Sequence, residues 1–394
     1  MEVPASSPQN TPPSAPPMQA QEDQLIAESG ARSIRLLSHR QLVLMRFRKN
    51  RLALIGLATL ILLYLMAIFC EFIAPYDPNR RFQGNVHAPP TRLHLRTPEG
   101  AWSMPFFYRV ERKTDPSTFE RVYAEDTRQR YSLRLFVRGD PYEMWGLIPL
   151  DVHLFGSSDP SVPLFLMGAD AMGRDLLSRI VYGSRISLSI GLVGVCTSLL
   201  IGLILGGVSG YYGGMVDNIV QRLIELIRSI PTVPLWMGLA AALPPSWPQL
   251  RVYLGITIIL SFVGWTTLAR VIRGKFLALR EEDYVLAALQ AGAQPFFVIR
   301  EHLLPSFMSY ILVHLTLAIP GMIIGETGLS FLGLGLVAPT ISWGVLLKDA
   351  QKVQEVALHP WILIPAIFVL ITVMAFNFFG DGLRDAADPY SQRT

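Results

Sequence analysis

The sequence predicts an all-α polytopic membrane protein with six transmembrane helices and a small β-containing insert between helices 1 and 2. Composition is the first observation behind this prediction: 51% of the 394 residues are apolar and only 16% are Asp, Glu, Lys or Arg, whereas soluble proteins carry about 25% charged residues. Second, six apolar stretches approach the roughly 20 residues that a membrane-spanning helix needs. Third, the charges cluster, since 28 of the 112 residues from 74 to 185 are charged, as in a water-exposed segment.

The six apolar stretches give the predicted spans, because each helical residue adds about 1.5 Å toward a hydrocarbon core about 30 Å thick. They cover residues 52–73, 186–216, 216–243, 252–269, 310–331 and 361–380. The third stretch is irregular: it opens as an amphipathic helix with three charged side chains and then passes Pro231 and Pro234. Proline bends or breaks a helix, so we predict one bent span there.

Lys and Arg residues beside the spans predict the orientation, because these residues accumulate on the cytoplasmic side. Residues 31–51 contain seven basic side chains and no acidic one, which predicts that both termini are cytoplasmic. The basic residues are Arg32, Arg35, Arg40, Arg46, Arg48, Lys49 and Arg51. The loop at 270–301 is then cytoplasmic and the charged insert extracytoplasmic, and the arginines of the insert are no objection because long loops are exempt from this bias.

The distribution of charged and apolar residues divides the chain into five predicted segments. The first segment, residues 1–30, has a composition typical of disorder. The segments are a Pro-rich disordered cytoplasmic tail at 1–30, an N-terminal module with transmembrane helix 1 at 31–78, the extracytoplasmic insert at 79–185, a membrane domain with helices 2–6 at 186–383, and a cytoplasmic C-terminal tail at 384–394.

The insert shows the pattern of a small β-rich subdomain. Residues 106–111 and 131–138 alternate apolar and polar side chains, which predicts half-buried strands. Gly139, Asp140 and Pro141 predict a turn after the second strand. Two interpretations of the insert stay open: it docks an extracytoplasmic binding protein or shields a channel mouth, or it is only a packed surface element.

The sequence lacks the motifs of an enzyme, and we predict no catalytic residue. A phosphate-binding loop needs Gly-x-x-x-x-Gly-Lys followed by Ser or Thr, and the chain offers only Gly-Lys-Phe at 274–276 without the first glycine. The seven histidines do not form the spaced pair of a metalloprotease helix. A net charge of +4 without a basic stripe argues against nucleic acid. Cys70 and Cys196 lie in apolar runs, so we expect buried fillers, no disulfide framework and no metal site.

Two residues inside the fifth span are candidates for a transport pathway. Glu326 is the only acidic residue of that span, and intramembrane carboxylates usually face a cavity or a partner, although the outer interface would also suit Glu326. His314 is the second candidate, with a bond to neighbouring backbone as the alternative. Glycines at every fourth position predict grooves for close helix packing. They are Gly202, Gly206, Gly210, Gly321 and Gly325.

The loop between the fourth and fifth spans reads as two short helices within residues 280–305. Glu281, Glu282 and Asp283 put negative charge at the amino end of the first helix, which favours its dipole, and Asp283 is predicted to cap it. Small alanine side chains then line one face, and Gly292 ends the helix. Pro295 fits the first turn of the second helix. A short helix with a shallow face suits insertion into a groove of another protein.

This loop resembles the EAA motif of permease subunits in binding-protein-dependent ABC importers. The motif reads Glu-Ala-Ala, three residues, Gly, nine residues, then Ile-x-Leu-Pro. Ala-Ala at 287–288, Gly292 and Leu-Pro at 304–305 match it with the right spacing. Leu286 stands where the motif has Glu, and His302 stands where it has Ile.

Other segments are similar to the second permease component of the dipeptide, oligopeptide and nickel branch of this family. Residues 46–78 look like its amino-terminal module. Residues 168–175, Gly-Ala-Asp-Ala-Met-Gly-Arg-Asp, are similar to the family's Gly-Thr-Asp-x-x-Gly-Arg-Asp. Residues 328–335 and 377–389 also look like family segments. The resemblance covers about residues 40–390 except much of the insert.

The resemblance implies the type I ABC importer (MetI-like) fold, surrounded by lipid of the bacterial cytoplasmic (inner) membrane. It implies a complex with a homologous second permease subunit, two cytoplasmic ABC ATPase subunits that bind ATP and magnesium, and an extracytoplasmic substrate-binding protein. The permease itself then needs no cofactor. The coupling loop is residues 273–305, and the residues implied in ATPase coupling are Glu281, Glu282, Asp283, Tyr284, Leu286, Ala287, Ala288, Gln290, Ala291 and Gly292.

The function that this resemblance implies is import of dipeptides or oligopeptides, driven by the partner ATPases. Nickel or oligosaccharides are the alternative cargoes of the same architecture, although the spans lack the His and Cys cluster that would favour nickel. A proton-coupled secondary transporter is the alternative mechanism. It would need ionisable residues in several spans, and the sequence offers mainly Glu326.

Overall fold

The computed structural model describes residues 39–97, 100–114, 121–244 and 246–387. The chain divides into two compact units, residues 1–45 and 46–394. The described part of the first unit, 39–45, is helical, and the predicted tail at 1–30 lies outside the described residues. The helices are α1 (His39–Lys49), α2 (Arg51–Ile68), α3 (Cys70–Ile73), α4 (Leu176–Tyr212), α5 (Gly214–Ser229), α6 (Thr232–Ala241), α7 (Gln249–Leu279), α8 (Asp283–Gln290), α9 (Pro295–Val298), α10 (Leu304–Ser306), α11 (Met308–Phe331), α12 (Trp343–Leu347), α13 (Val353–Leu358) and α14 (Ile364–Ala387).

Five helices are long and apolar enough to cross a membrane, namely α2, α4, α7, α11 and α14. The bent pair α5 and α6 makes a sixth span if it is counted as one. Four helix ends differ from the predicted ones by five or more residues. Helix α7 extends to Leu279, ten residues past its predicted end, and α14 extends to Ala387, seven residues past its predicted end. Helix α2 ends at Ile68, five residues before the predicted end, and α4 begins at Leu176, ten residues before the predicted start. The predicted end of the insert at residue 185 therefore lies inside a helix.

Helix α4 begins earlier than predicted because the polar side chains of its first turns have hydrogen-bond and ion-pair partners. Arg179 Nη1 donates a hydrogen bond to the carbonyl oxygen of Pro78 at 3.2 Å, and Arg185 Nη1 pairs with Glu71 Oε1 at 2.7 Å. Polar groups can be buried when they are hydrogen-bonded or paired. A search for uninterrupted apolar sequence therefore misses these first turns.

The third apolar stretch bends more sharply than a kinked helix. Helices α5 and α6 meet at 87°, and Ile230 and Pro231 separate them. Pro231 is extended, with ψ 131°, and Pro234 lies in the first turn of α6, where proline is tolerated because no helical hydrogen bond is lost. Helix α5 is amphipathic as predicted, and its buried Val220 and Ile224 pack in a cluster with residues of α7.

Helices α4 and α7 approach closely along the predicted row of glycines. A Cβ atom at Gly206 would lie 2.5 Å from the carbonyl oxygen of Ala269, and one at Gly210 would lie 2.8 Å from that of Arg273. Real Cβ atoms do not fit at such distances, because protein interiors are close-packed. The prediction of grooves for helix packing is confirmed for α4.

Two predictions about small side chains are wrong. A Cβ atom at Gly321 would meet nothing within 4 Å, so this glycine does not mark a close approach, whereas one at Gly325 would lie 3.0 Å from Trp236 of α6. Cys70 is buried as expected, but Cys196 is exposed. Cys196 lies on the outer face of α4 between the exposed Leu192 and Leu200, and in a membrane protein such a face suits lipid or a partner helix.

The insert contains a four-stranded antiparallel sheet with its strands in chain order. The strands are β1 (His94–Arg96), β2 (Trp102–Thr114), β3 (Arg121–Met144) and β4 (Ile148–Ser157). Both predicted strand segments are confirmed, in β2 and β3. The predicted turn at 139–141 is wrong, because the register of β3 against β4 shifts between Arg138 and Tyr142 and the strand then continues. Such a bulge accommodates extra residues without ending the strand.

Hydrogen bonds attach the residues on either side of β4 to the end of α2 and to the segment after α3. Trp145 Nε1, in the turn after β3, donates to the carbonyl oxygen of Ile68 at the end of α2, at 2.8 Å. The backbone N–H of Leu164 donates to the Tyr76 hydroxyl at 2.8 Å. The insert is therefore fixed at the end of the helices where α2 stops and α4 begins.

Candidate functional site

The loop between α7 and α11 contains the predicted pair of short helices. Helix α8 covers Asp283–Gln290. Gly292, two residues further on, has the left-handed φ of +85° that terminates the helix, as predicted. The N–H groups of Gly292 and Ala293 donate to the carbonyl oxygens of Leu289 and Ala288, each at 3.0 Å. This pair of bonds is a Schellman motif, which satisfies carbonyls at a helix end and needs a left-handed residue there. Pro295 is the first residue of α9, also as predicted.

Capping at the start of α8 differs from the prediction. The residue before the helix is Glu282, and its side chain makes no capping hydrogen bond. Asp283 is the first helical residue rather than the cap. Its carboxylate still lies in the first turn, where negative charge favours the helix dipole, so only the capping part of the prediction is wrong.

Helix α8 is held against the ends of α7 and α11 by a small hydrophobic cluster. Val285 of α8, Val298 of α9 and Leu303 are each fully buried, and they pack with Phe276 of α7 and Phe307 beside α11. Leu303 ends a π-helical turn, Ile299–Leu303, that leads back to α10 and α11. Burying one such side chain stabilises a packed state by about 1.5–3 kcal/mol. The loop is therefore a packed element rather than a flexible connection.

The opposite side of α8 is open and contains most of the residues implied in ATPase coupling. Its apolar members include Tyr284 and Leu286, each 43% exposed, and Ala288 alone of the set is half-buried. Phe296 and Phe297, which the sequence analysis did not single out, extend this open face. The exposed coupling residues are Glu281, Glu282, Asp283, Tyr284, Leu286, Ala287, Gln290, Ala291 and Gly292. We call these nine residues with Phe296 and Phe297 the coupling face.

The two departures from the EAA motif lie in different surroundings. Leu286 belongs to the coupling face, so an uncharged side chain stands there where the motif has Glu. His302 lies between two aromatic rings of the loop, with ring centroids 6.2 Å from Tyr284 and 5.8 Å from Phe297. The imidazole thus packs against aromatic side chains of the loop itself.

The two pathway candidates of the fifth span lie in different places. His314 lines a cavity of about 400 Å³ between α4, α5, α6, α7 and α11, with polar groups from Ser198, Arg228 and Thr267. Arg228 Nη1 donates to Thr267 Oγ1 across part of this cavity at 3.3 Å. Glu326 does not line the cavity and is fully buried.

Glu326 instead joins three segments through serine hydroxyls. Its Oε1 accepts hydrogen bonds from Ser330 at 2.8 Å and Ser342 at 2.7 Å, and its Oε2 accepts one from Ser187 of α4 at 3.4 Å. Ser342 in turn caps α12 by accepting from the N–H of Val345. A carboxylate satisfied in this way holds packed helices together. Glu326 is therefore buried rather than at a wet interface, and its role in a transport pathway stays a prediction.

The segment 168–175, similar to a family motif, forms the turn that starts α4. Asp170 Oδ1 accepts from the N–H groups of Met172 and Arg174, and Asp170 Oδ2 accepts from Arg174 Nε at 2.7 Å. Asp175 caps α4: its Oδ2 accepts from the N–H and the hydroxyl of Ser178, each at 2.7 Å. Asp175 Oδ1 is buried with no hydrogen-bond partner among the described residues. Burial raises the pKa of this carboxyl to about 7.

A third group of polar residues was not expected from the sequence. His87, Glu355 and His359 meet at the end of the helices that carries the insert, and each offers one ligand atom within 4.8 Å of the others. They lie outside the five membrane-crossing helices. No other set of three or more such residues within the described ranges meets this criterion.

The apolar helix bundle, the cavity between its helices and a packed loop with an open face are features of a polytopic membrane protein. Residues 198–391 match the family of binding-protein-dependent transport system inner membrane components. Residues 38–90 match the N-terminal transmembrane domain of oligopeptide transport permease C. The chain belongs to this family of inner-membrane permeases, which confirms the resemblance and the fold class inferred from the sequence.

Relatives align over most of the chain. It is 32% identical to the dipeptide transport system permease protein DppC of Bacillus subtilis (strain 168), over 91% of this chain and 88% of the relative. It is 31% identical to the oligopeptide transport system permease protein OppC of the same organism, over 88% of each chain. The OppC protein of Haemophilus influenzae is 42% identical over 56% of this chain and 69% of its own.

Solved structures show a weaker likeness. A MetNI methionine ABC transporter in an inward-facing conformation is 20% identical and covers 52% of this chain and 95% of its own, with a TM-score of 0.40. An amino acid ABC transporter solved with histidines is 17% identical and covers 52% of this chain and 93% of its own, with a TM-score of 0.39.

Proposed function

We propose that this chain is a membrane-spanning subunit of an ATP-driven importer of dipeptides or oligopeptides. The coupling face carries the proposal: a short helix with an open acidic and aromatic surface is packed, on its other side, onto the ends of two membrane-crossing helices. A surface that transmits movement needs this combination, because a flexible loop would absorb a displacement, whereas packed elements pass it on.

In this proposal two ABC ATPase subunits bind the coupling loops of this chain and of a second permease subunit, and the coupling face is the contact on this chain. ATP and magnesium are bound by the ATPase subunits alone. Closure of the ATPases would move α8, and the buried Val285 and Val298 would carry that movement to Phe276 of α7 and Phe307 beside α11. The loop would then be cytoplasmic, with both termini on the same side and the insert outside. The basic residues at 46–51 support this orientation.

A homologous second permease subunit completes the proposed pathway. The cavity lined by His314 lies between helices whose other faces expose many apolar residues, such as Leu223 and Ile258, and these faces would contact lipid or that subunit. An external binding protein would deliver the substrate at the end with the insert. Peptides are the proposed cargo because the relatives that align over most of this chain are named dipeptide and oligopeptide permeases.

The test uses the coupling face in the complete transporter. Ala287 is exposed on α8, so Ala287→Trp adds bulk where an ATPase would dock without disturbing the buried cluster. We expect ATP-driven uptake of a labelled dipeptide into membrane vesicles to fall more than about tenfold, the loss that about 1.4 kcal/mol of impaired coupling would cause. The amount of inserted protein should be unchanged.

Ala357→Trp is the matched control. Ala357 is also an exposed alanine in a short helix, α13, but it lies away from the coupling face. This variant should keep uptake near the wild-type value. Normal uptake in Ala287→Trp, or equal losses in both variants, would contradict the proposed role of the coupling face.

A further inference from the structure

Three potential metal ligands meet where two distant parts of the chain touch. His87 follows the first membrane-crossing helix by 19 residues, whereas Glu355 lies in α13 and His359 just after it. The backbone of His87 is fixed by a hydrogen bond from its N–H to the carbonyl oxygen of Asp170, at 3.0 Å. His359 is fixed in the same way by the carbonyl oxygen of Glu355, at 2.8 Å. The three side chains therefore project from anchored backbone.

The separations suit a tetrahedral ion. Zinc binds imidazole nitrogen at about 2.0–2.1 Å and carboxylate oxygen at about 2.0–2.2 Å, so two ligand atoms at a tetrahedral centre lie about 3.3 Å apart. His87 Nε2 and Glu355 Oε2 are 3.3 Å apart. All three ligand atoms lie within 4.8 Å of one another. The most distant ligand atom must move by about 1.5 Å to reach the tetrahedral separation, and rotation of its side chain can provide this movement.

One ring nitrogen of each histidine has no hydrogen-bond partner among the described residues. This atom is Nδ1 in both His87 and His359, and it is buried. The two rings stack with centroids 4.0 Å apart and planes 9° apart. Because the lone pair of a ring nitrogen lies in the plane of the ring, one ring must turn before both histidines can bind the same ion. Neutral imidazole is the form that binds a metal.

We propose that His87, Glu355 and His359 form a binding site for a divalent transition-metal ion of the zinc type. Two imidazoles and one carboxylate are a ligand set that proteins use for zinc with a fourth position open to water or another group. All three residues are partly exposed, so an ion can enter from solvent. The fourth position makes the site competent to take a ligand from outside this chain.

A bound ion would tie the segment after α2 to the segment before α14. The backbone of Ala169 already links these segments, since its N–H donates to the carbonyl oxygen of Ala88 at 2.8 Å and its carbonyl oxygen accepts from Trp361 Nε1 at 3.1 Å. An ion that binds the folded chain and not the unfolded one stabilises the fold in proportion to the logarithm of its concentration. Added zinc should therefore raise the thermal stability of the protein.

Zinc titration of the full-length protein, purified in detergent and stripped of metal with a chelator, tests this site. We expect one Zn²⁺ per chain by calorimetry, with a matching rise in melting temperature. Glu355→Gln keeps the size of the side chain and removes the charged ligand, so zinc affinity should fall more than about tenfold. His359→Asn should have the same effect, and each variant should lose the zinc-dependent rise in melting temperature.

His94→Asn is the matched control. His94 also faces a carboxylate, with Nε2 3.5 Å from Glu125 Oε2, but no third ligand joins this pair among the described residues. This variant should bind zinc as the wild type does. Absence of stoichiometric zinc binding by the wild type, or binding that survives in Glu355→Gln and His359→Asn, would overturn the proposal.

Discussion

Single polar residues hold the ends of the membrane-crossing helices in place, and Asp175 is the most constrained of them. It caps α4 through two hydrogen bonds from Ser178 to one carboxyl oxygen, while the other oxygen is buried without a partner among the described residues. Burial raises the pKa of this carboxyl to about 7. The folded protein therefore favours the neutral acid.

This burial predicts a pH dependence of stability with a definite sign. An unfolded chain releases the Asp175 proton near pH 4, so between about pH 4 and pH 7 the folded state binds more protons than the unfolded state. The contribution of this group to stability is thus largest at low pH and is lost as the pH rises through about 7.

Asp175→Asn keeps a capping oxygen and removes the titration. We expect the difference between melting temperatures at about pH 5 and about pH 8 to shrink in this variant, mainly because stability improves at the higher pH. Asp151→Asn, at an exposed position in β4, should keep the wild-type difference. An unchanged difference in Asp175→Asn would show that the carboxyl is not buried as described.

The unusual environment of Glu326 could be predicted from the sequence, but its hydrogen-bond partners could not. Its position as the only carboxylate of an apolar span indicated a special environment, and that much is correct. Its partners could not be predicted, because Ser187 lies 139 residues away in the chain and Ser342 lies in the segment after the span. Only the packing of α4 against α11 and α12 brings these hydroxyls to the carboxylate.

At the level of helices and strands, the close contact of α4 and α7 depends on glycines at every fourth position. Gly206→Val would place a side chain within 2.5 Å of the Ala269 carbonyl oxygen, so the helices would have to separate. Overpacking of this kind costs about 1–3 kcal/mol, which we expect to see as a lower melting temperature and a lower yield of folded protein. Gly274→Val in α7 is the control, because a Cβ atom there meets nothing within 4 Å. Equal melting temperatures for the two variants would contradict the packing described here.

Sequence patterns predicted most of these elements, and the misses at the start of α4 and in β3 share one cause. Apolar length found all five membrane-crossing helices and the bent pair, and alternation found the strands of the insert. Hydropathy missed the first ten residues of α4, because Arg179 and Arg185 have partners that a local pattern cannot reveal. The supposed turn at 139–141 is a bulge for a similar reason, since pairing with β4 decides whether the strand continues.

At the scale of the whole molecule, the two proposed sites lie at opposite ends of the helix bundle. The coupling face lies at one end, and its EAA-like residues were recognisable in the sequence because they are close together in the chain. The His87, Glu355 and His359 cluster lies at the other end and could not be foreseen, because 268 residues separate its first two members. The coupling face and the proposed metal site therefore make independent predictions.

The most direct test of the central claim is substrate uptake by the complete transporter, purified and reconstituted into liposomes with a labelled dipeptide outside. We expect uptake that requires ATP on the side of the coupling face, requires the binding protein on the other side and continues when a proton gradient is abolished. An ATP-driven importer predicts this pattern because its energy comes from the partner ATPases. Uptake that proceeds without ATP and collapses with the proton gradient would contradict it and identify a secondary transporter.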